Sequence, residues 1–251
     1  MDFAIVARFG LLLVRPGMVV MIAPGIGGAH IPAPVKVGLT VLIAIGLLPS
    51  VAVAPGVEGA SLALIVAREA AIGLALAFVL RIVIAGAEFA GHLAGFQIGF
   101  SYGATIDPQS GVRSTMLATL YGSLATLAFL GINGHHALLR ALGASYTGLP
   151  IGAGQINESI VASVREMLGL VFVVGVRLAA PVIVVMLIAE IAVGLIARTA
   201  PSLNFMVIGY PIRIVAGLFL VAVLVPTIPS VTNSLIGTAV QMALAAAAAF
   251  R

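Results

Sequence analysis

Residues 95–113 read GFQIGFSYGATIDPQSGVR and lie between two long apolar runs. Within this stretch Asp107-Pro108 indicates a turn, because proline fixes its own φ and moves the preceding residue out of the α region. Gly99 and Gly103 allow backbone turns that would strain other residues. The segment cannot face lipid, where its free backbone groups would have no hydrogen-bond partners. It is therefore either folded inward against protein or a water-filled lumen, as its apolar flanks favour, or an ordinary exposed connector.

The composition is that of an integral membrane protein. Only 8% of the 251 residues are charged and 62% are hydrophobic, and the mean hydropathy is +1.26; soluble domains carry about 25% charged residues. The apolar runs are long and unbroken, so the sequence predicts an all-α protein rather than a β-barrel. Roughly five to seven spans of about 20 residues fit, which leaves no room for a soluble domain. Cysteine is absent, which excludes disulfides and thiolate chemistry.

Proline and glycine divide the chain into predicted helices and connectors. The predicted apolar segments are 3–23, 35–53, 62–100, 114–132, 160–196 and 214–225 with 231–250. We expect a kink or division of the third segment near 86–95, a polar connector at 133–157 and a punctuated loop at 198–213. Basic residues are shared evenly between alternate loops, so the positive-inside rule gives no orientation.

Ionisable residues inside the apolar segments are the candidate functional groups. Arg81, Glu88 and His92 fall on one polar stripe at 100° per residue, and Glu88 and His92 are i,i+4 neighbours. Each such charge costs about 2.5–3.5 kcal/mol in a membrane and therefore faces protein or water. The stripe predicts either a pore lining or proton path, or buried pairs with neighbouring subunits. We expect partner subunits to satisfy further charges of this kind as well: Arg8, Arg15, Arg177 and Glu190.

No catalytic or cofactor motif is present in the sequence. Walker A, Rossmann, G-x-S-x-G and H-E-x-x-H patterns are all missing. His135-His136 have no further His or Cys at ligand spacing and are expected in a solvated loop. We therefore expect no metal, no cofactor, no nucleic-acid binding and no enzymatic activity. A secondary transporter is the alternative class, but it would show an inverted repeat, and the GFSYGATIDP block has no second copy.

Four punctuated blocks, in order along essentially the whole chain, resemble the FliR family (FliR/SctT/SpaR) of flagellar type III export-gate proteins, whose relatives serve in virulence injectisomes. The blocks are Arg15, Pro24, Ile31-Pro32 and Lys36; Glu69 and Gly73; Gly91, Gly95, Gln97, Gly99, Phe100 and Asp107-Pro108; and ARTAPSLNFMVIGYPIR at 197–213. The last block departs from the family at Ser202, where Gln is frequent, and at Arg213, where Lys is frequent. Its APSLN form looks flagellar.

The resemblance implies a non-enzymatic, all-α subunit with Pro- and Gly-broken helical hairpins, located in the bacterial inner membrane at the flagellar basal body. The implied partners are FliP-like, FliQ-like and FlhB-like subunits, in an assembly whose central channel passes flagellar proteins. The chain would be one domain over 1–251. Its N-terminal hairpins, 1–158, would resemble one small hydrophobic partner, and its C-terminal hairpin, 159–251, would resemble the other.

The resemblance also implies that the loop after GFQIGF plugs the idle channel, through Ser101, Tyr102, Gly103, Thr105, Ile106, Asp107, Pro108, Gln109 and Ser110. The second predicted site is a hairpin tip at 198–213, where turn-forming residues lie between two arginines, and we expect it to face the cytoplasmic entrance. Its residues are Arg198, Pro201, Asn204, Gly209, Pro211 and Arg213. A plain connector is the alternative for the tip.

Overall fold

The computed structural model describes residues 3–28, 31–54, 61–100, 116–155, 158–199 and 205–250. Over these ranges the protein is all-α, as predicted. Its helices are α1 Phe3–Ile22, α2 Ala33–Leu47, α3 Leu62–Ile98, α4 Met116–Gly131, α5 Gly134–Gly148, α6 Glu158–Thr199, α7 Phe205–Leu224 and α8 Thr227–Ala248.

In the part of the chain that the structure describes, fewer helices than predicted are long and apolar enough to cross a membrane. Among the described residues, α3, α8 and the Ile160–Thr199 part of α6 are long and apolar enough. The pair α4 and α5, which is bent by 66°, can form a fourth span. The 15 residues of α2 rise only about 22 Å, less than a hydrocarbon core of about 30 Å. The described residues thus contain three candidate spans, or four with the bent pair, whereas the sequence predicts five to seven for the whole chain.

The predicted division of the third segment is wrong, because α3 runs without a break through all 37 of its residues. Its glycines serve packing instead. A Cβ added at Gly86 would lie 2.6 Å from the Cβ of Val174, and one added at Gly91 would lie 2.5 Å from the Cα of Ala118. The two glycines therefore bring α6 and α4 into close contact with α3, as small residues do between membrane helices.

The predicted connector at 133–157 is also wrong, because most of it forms α5. Buried side chains recur along α5 at i, i+3, i+4, i+7 and i+8, the pattern of an amphipathic helix: Leu138, Ala141, Leu142, Ser145 and Tyr146. Asn133 separates α5 from α4 in the left-handed conformation, with φ of 59°, which asparagine adopts more readily than most residues. His135 and His136 belong to the first turn of α5 and not to a solvated loop, and their ring centroids lie 4.3 Å apart.

The predicted loop at 198–213 is shorter than expected. Helix α6 extends to Thr199 and α7 begins at Phe205, so Gly209 and Pro211, two predicted turn residues, lie inside a helix. Proline removes one backbone donor, but membrane helices tolerate this loss because neighbouring groups satisfy the freed carbonyl. Pro181 lies inside α6 in the same way.

The chain forms two compact units. The first comprises Met1–Val83, Phe129–Gly169 and Ser234–Arg251, and the second comprises Ile84–Ala128 and Leu170–Asn233. In the first unit, Ala54 N–H donates to the Ile151 carbonyl at 2.9 Å and Ile151 N–H donates to the Ala52 carbonyl at 3.1 Å. The predicted boundary between hairpins at residue 158 stays a prediction.

Replacing Gly91 by alanine should destabilise the second unit. The added methyl group would meet a backbone atom of α4, so that helix has to shift, and such overpacking costs about 1–3 kcal/mol. Gly237→Ala is the matched control, because nothing lies within 4 Å of its added Cβ and alanine is the better helix former. Thermal unfolding in detergent should give a lower Tm for Gly91→Ala and an unchanged or higher Tm for Gly237→Ala. A Gly91→Ala protein with the parent Tm would contradict the close packing of α3 on α4.

Candidate functional site

A buried ion pair joins α1 to α3. Arg15 Nε donates to Glu69 Oε2, and Arg15 Nη2 donates to Glu69 Oε1 at 3.1 Å. Both side chains are completely buried. The pairing is bidentate, the arrangement that best matches a planar guanidinium to a carboxylate. Two charges withdrawn from solvent are tolerated only when further hydrogen bonds satisfy their remaining atoms.

Residues at and after the end of α5 supply those further hydrogen bonds. Arg15 donates through Nη1 to Ser145 Oγ at 3.2 Å and through Nη2 to the Leu149 carbonyl at 2.9 Å. Gly152 N–H donates to Glu69 Oε1 at 3.0 Å. The two charged groups therefore connect three separate stretches of the first unit: α1, α3 and residues 145–152.

The ring of Tyr146 completes the surroundings of the guanidinium. The Arg15 Cζ lies 4.3 Å from the ring centroid, within the range of a cation–π interaction. The Tyr146 hydroxyl donates to the Leu12 carbonyl at 3.2 Å, which fixes the ring against α1. The cluster formed by Arg15, Glu69, Ser145, Tyr146, Leu149 and Gly152 is called the Arg15 cluster below.

Gly73 allows α3 to approach α1 one turn from Glu69. A Cβ at Gly73 would lie 2.8 Å from the Arg15 carbonyl oxygen and 3.0 Å from the Met18 Cβ. Glu69 and Gly73, which form the second sequence block, thus serve the same contact. The Glu69 carboxylate binds the side chain of Arg15, and Gly73 leaves room for the backbone of Arg15.

The expectation that partner subunits satisfy the charges of the apolar segments is wrong for Arg15 and Glu190. Arg15 is neutralised by Glu69. Arg8 donates through Nη2 to the Val51 carbonyl, which does not neutralise its charge, and its buried Nε has no hydrogen-bond partner among the described residues, so the expectation stays a prediction for Arg8. Arg213 Nη2 lies 2.7 Å from Glu190 Oε2, which joins α7 to α6. This last pair is not among the contacts predicted from the sequence, although Glu190 and Arg213 stand at similar distances from residues 200–204, one on each side.

The predicted polar stripe lies on α3, and its members differ in exposure. Arg81 is exposed, whereas Glu88 and His92 are half-buried. Arg81 and Glu88 each have an interaction within the protein, and Glu88 packs on α4, where a Cβ at Gly122 would lie 2.6 Å from the Glu88 Cγ. Its role as a pore lining, or as a set of pairs with neighbouring subunits, stays a prediction.

The predicted plug, residues 101–110, lies outside the described residues, as do Pro201 and Asn204 of the predicted hairpin tip. Of the other tip residues, Arg198 and Pro211 are exposed, and Gly209 and Arg213 are half-buried.

The chain segment before the predicted plug explains part of the GFQIGF motif. Gly99 has φ of 105°, its N–H donates to the Phe96 carbonyl at 3.1 Å, and the Phe100 N–H donates to the Gly95 carbonyl at 2.9 Å. This is a Schellman motif, in which glycine takes the left-handed position that ends a helix. Gly99 therefore ends α3.

The first sequence block closes the connector between α1 and α2. Lys36 Nζ donates to the Gly27 carbonyl at 3.0 Å, and Pro32 immediately precedes α2 with φ of −57°. A Cβ at Gly27 would clash with the backbone of Met21.

Among the described residues, no group of three or more His, Asp or Glu is placed to hold a metal ion.

Comparison with known proteins explains why these blocks occur together. Residues 6–239 match a family described as bacterial export proteins, family 1. The chain is 33% identical to the flagellar biosynthetic protein FliR of Escherichia coli K12 over 217 residues, which is 86% of this chain and 83% of that protein. The chain belongs to the FliR family of bacterial export proteins. A Bacillus subtilis FliR is 26% identical over 237 residues, 93% of this chain and 92% of that protein. The Yop proteins translocation protein T of Yersinia pestis is 29% identical over 189 residues, 73% of this chain and 72% of that protein.

The FliR resemblance inferred from the four blocks is thus confirmed, and the structure gives the blocks physical roles. In this FliR-family chain the first block closes the connector between α1 and α2 through Lys36. The second block binds Arg15 through Glu69, and the third ends α3 at Gly99.

Removing one member of the buried pair should destabilise the protein strongly. Arg15→Met leaves the Glu69 carboxylate buried without its cation, and Glu69→Leu leaves Arg15 without its anion; each costs about 3–5 kcal/mol. The double variant removes both charges and should be closer in stability to the parent than either single variant. Chemical unfolding in detergent of the four proteins gives the coupling free energy.

The partly exposed Glu190–Arg213 pair provides the control. Glu190→Gln should change the free energy of unfolding by at most about 1 kcal/mol, because solvent screens the pair. If the losses of Arg15→Met and Glu69→Leu simply add in the double variant, the two groups are not coupled.

Proposed function

We propose that this protein is a structural subunit of the bacterial flagellar type III protein export apparatus. It lies in the inner membrane at the flagellar basal body and helps to form the channel that passes unfolded flagellar proteins. The observation that carries the proposal is the likeness to FliR proteins over most of both chains, 83% of the Escherichia coli protein and 92% of the Bacillus subtilis protein. A role in a virulence injectisome is the second candidate, supported by the likeness to the Yersinia protein over 72% of its length.

The subunit works with other subunits of the apparatus. We propose FliP-like and FliQ-like hydrophobic subunits and an FlhB-like subunit as its neighbours. Large apolar side chains exposed on several helices support this role, since they require a lipid or protein environment: Val37 and Leu42 on α2, Phe172 and Ile188 on α6, and Val215 and Phe219 on α7.

A structural rather than enzymatic role fits the use of the buried polar groups. The guanidinium of Arg15 and the carboxylate of Glu69 form their hydrogen bonds with each other, with Ser145 Oγ and with backbone groups. Glu88 packs against Gly122 and has an interaction within the protein. We propose that the polar stripe of Arg81, Glu88 and His92 serves packing between helices and subunits and is not a proton path.

The segment that follows α3 is the proposed channel plug. Helix α3 ends at the Schellman motif of Gly99, and α4 begins at Met116. Residues 101–110 combine small, hydroxyl and turn-forming residues, which suits a loop that blocks ions at rest and yields to an unfolded chain. The proposed hairpin tip, 198–213, faces the cytoplasmic entrance, where Arg198 supplies an exposed positive charge.

Deleting residues 103–110 should leave the apparatus assembled but make the membrane permeable to small solutes. The packing of α3 on α4 at Gly91 does not involve these residues, so the helices should keep their contact. The measurement is dye and ion leakage in the protein's own bacterium, together with the amount of flagellar protein exported to the medium.

Deletion of the whole gene is the control, and it should abolish export without raising permeability. Persistent export without the gene would contradict the proposed function. A shortened chain that assembles and remains tight would contradict the plug alone, and a shortened chain that fails to assemble would make the loop a structural strut.

A further inference from the structure

One exposed stripe of α6 combines large apolar side chains with an arginine. At 100° per residue, these side chains project within about 40° of one direction: Val173, Arg177, Val184, Ile188, Ile191 and Leu195. All are exposed, the five apolar ones by 54–62%. Arg177 has no hydrogen bond or ion pair with any residue that the structure describes. These six residues are called the Arg177 stripe.

Lipid can surround the apolar residues of α6, which is long and apolar enough to cross a membrane, but it offers no partner to the charge of Arg177. A bilayer core needs about 20 apolar residues of helix, but the longest uncharged stretch of α6 is 178–189, between Arg177 and Glu190. A bilayer placed over Arg177 would contain its unpaired charge. A bilayer placed beyond it would contain the Glu190–Arg213 pair, whose side chains are 54% and 29% exposed. Charges exposed to hydrocarbon are strongly unfavourable in either position.

Water alone does not suit the stripe either. From Val173 to Leu195 the helix rises about 33 Å, and the side chains of the stripe along this length are apolar except for Arg177. Soluble surfaces rarely leave a continuous apolar patch of that extent uncovered. A stripe of five large apolar side chains and one arginine fits a protein surface that offers both apolar side chains and an acidic group.

We propose that an apolar helix of another membrane subunit packs along the Arg177 stripe and presents a carboxylate to Arg177. The inference deepens the proposed function and rests on it, since the helix belongs to another subunit of the same export apparatus. Charge complementarity selects an acidic residue, and arginine binds a carboxylate through two parallel hydrogen bonds.

A second copy of this chain is a poorer match than a different subunit. Glu190, the carboxylate of α6 that lies within the length of the stripe, is already bonded to Arg213. Two copies inserted in the same direction and level with each other would place Glu166 of one copy about 16 Å along the helix axis from Arg177 of the other. That separation is too large for an ion pair.

The experiment is affinity purification of the full chain from membranes of its own bacterium. Arg177→Leu should lower the amount of other export-apparatus subunits recovered per copy by roughly tenfold or more, because their carboxylate loses its cation on assembly. Arg177→Lys should restore part of the recovery. The control is Arg165→Leu, which removes an exposed arginine near the start of the same helix and should leave recovery unchanged. Leucine is a good helix former, so the level of protein in the membrane should stay constant.

Equal recovery with Arg177→Leu and with the parent would overturn the inference. A parent protein that purifies without any other apparatus subunit would instead overturn the proposed function.

Because the chain contains no cysteine, Val184→Cys gives a second, independent measurement. Maleimide labelling in detergent should be slow in the assembled complex and fast when the chain is made alone, and equal rates would contradict a covering helix. A disulfide between two copies at this position would assign the stripe to a homodimer and overturn the choice of partner.

Discussion

The first unit depends on one constraint: the charges of Arg15 and Glu69 are buried together and every group around them has to be in place. A half-satisfied buried pair is worse than an apolar core, so loss of any one of these groups would disfavour the present arrangement of α1, α3 and residues 145–152. Gly73 sets how closely the backbones of α1 and α3 approach, and Tyr146 covers the guanidinium. The hydrogen bonds thus fix the register of helices whose remaining contacts are apolar and non-directional.

In the second unit, the described residues show close packing at several glycines. Gly86 and Gly91 bring α6 and α4 against α3, and Gly175 accommodates the ring of Phe89. Such contacts provide rigidity without adding ionic groups to a helix that passes through apolar surroundings. At the end of α3 the Schellman motif of Gly99 stops the helix sharply. A channel plug in the segment that follows α3 stays a prediction.

Several features could be predicted from the sequence because they depend on composition and local pattern. The all-α class follows from the hydropathy, and the punctuated blocks led to the FliR family, which the relatives confirm. The errors concern long-range packing. Amphipathic α5 has only a modest apolar face between histidines, glycines and prolines, so it was mistaken for a connector. The partner of Arg15 is far away in sequence, so no spacing rule connects it to Glu69. The sequence predicts a turn at Pro211, which lies inside α7 because membrane helices tolerate proline.

Hydrogen exchange at the Gly152 amide tests most directly whether the Arg15 cluster holds these three stretches together. In a protein that carries both Arg15→Met and Glu69→Leu, the buried charges are gone but so is the acceptor of the Gly152 N–H. The account predicts that peptides covering residues 149–155 exchange about tenfold faster or more than in the parent, as expected for loss of local protection. Peptides from residues 84–98 in the second unit should be unchanged. Equal exchange at 149–155 in the two proteins would contradict the claim that this cluster determines the fold of the first unit.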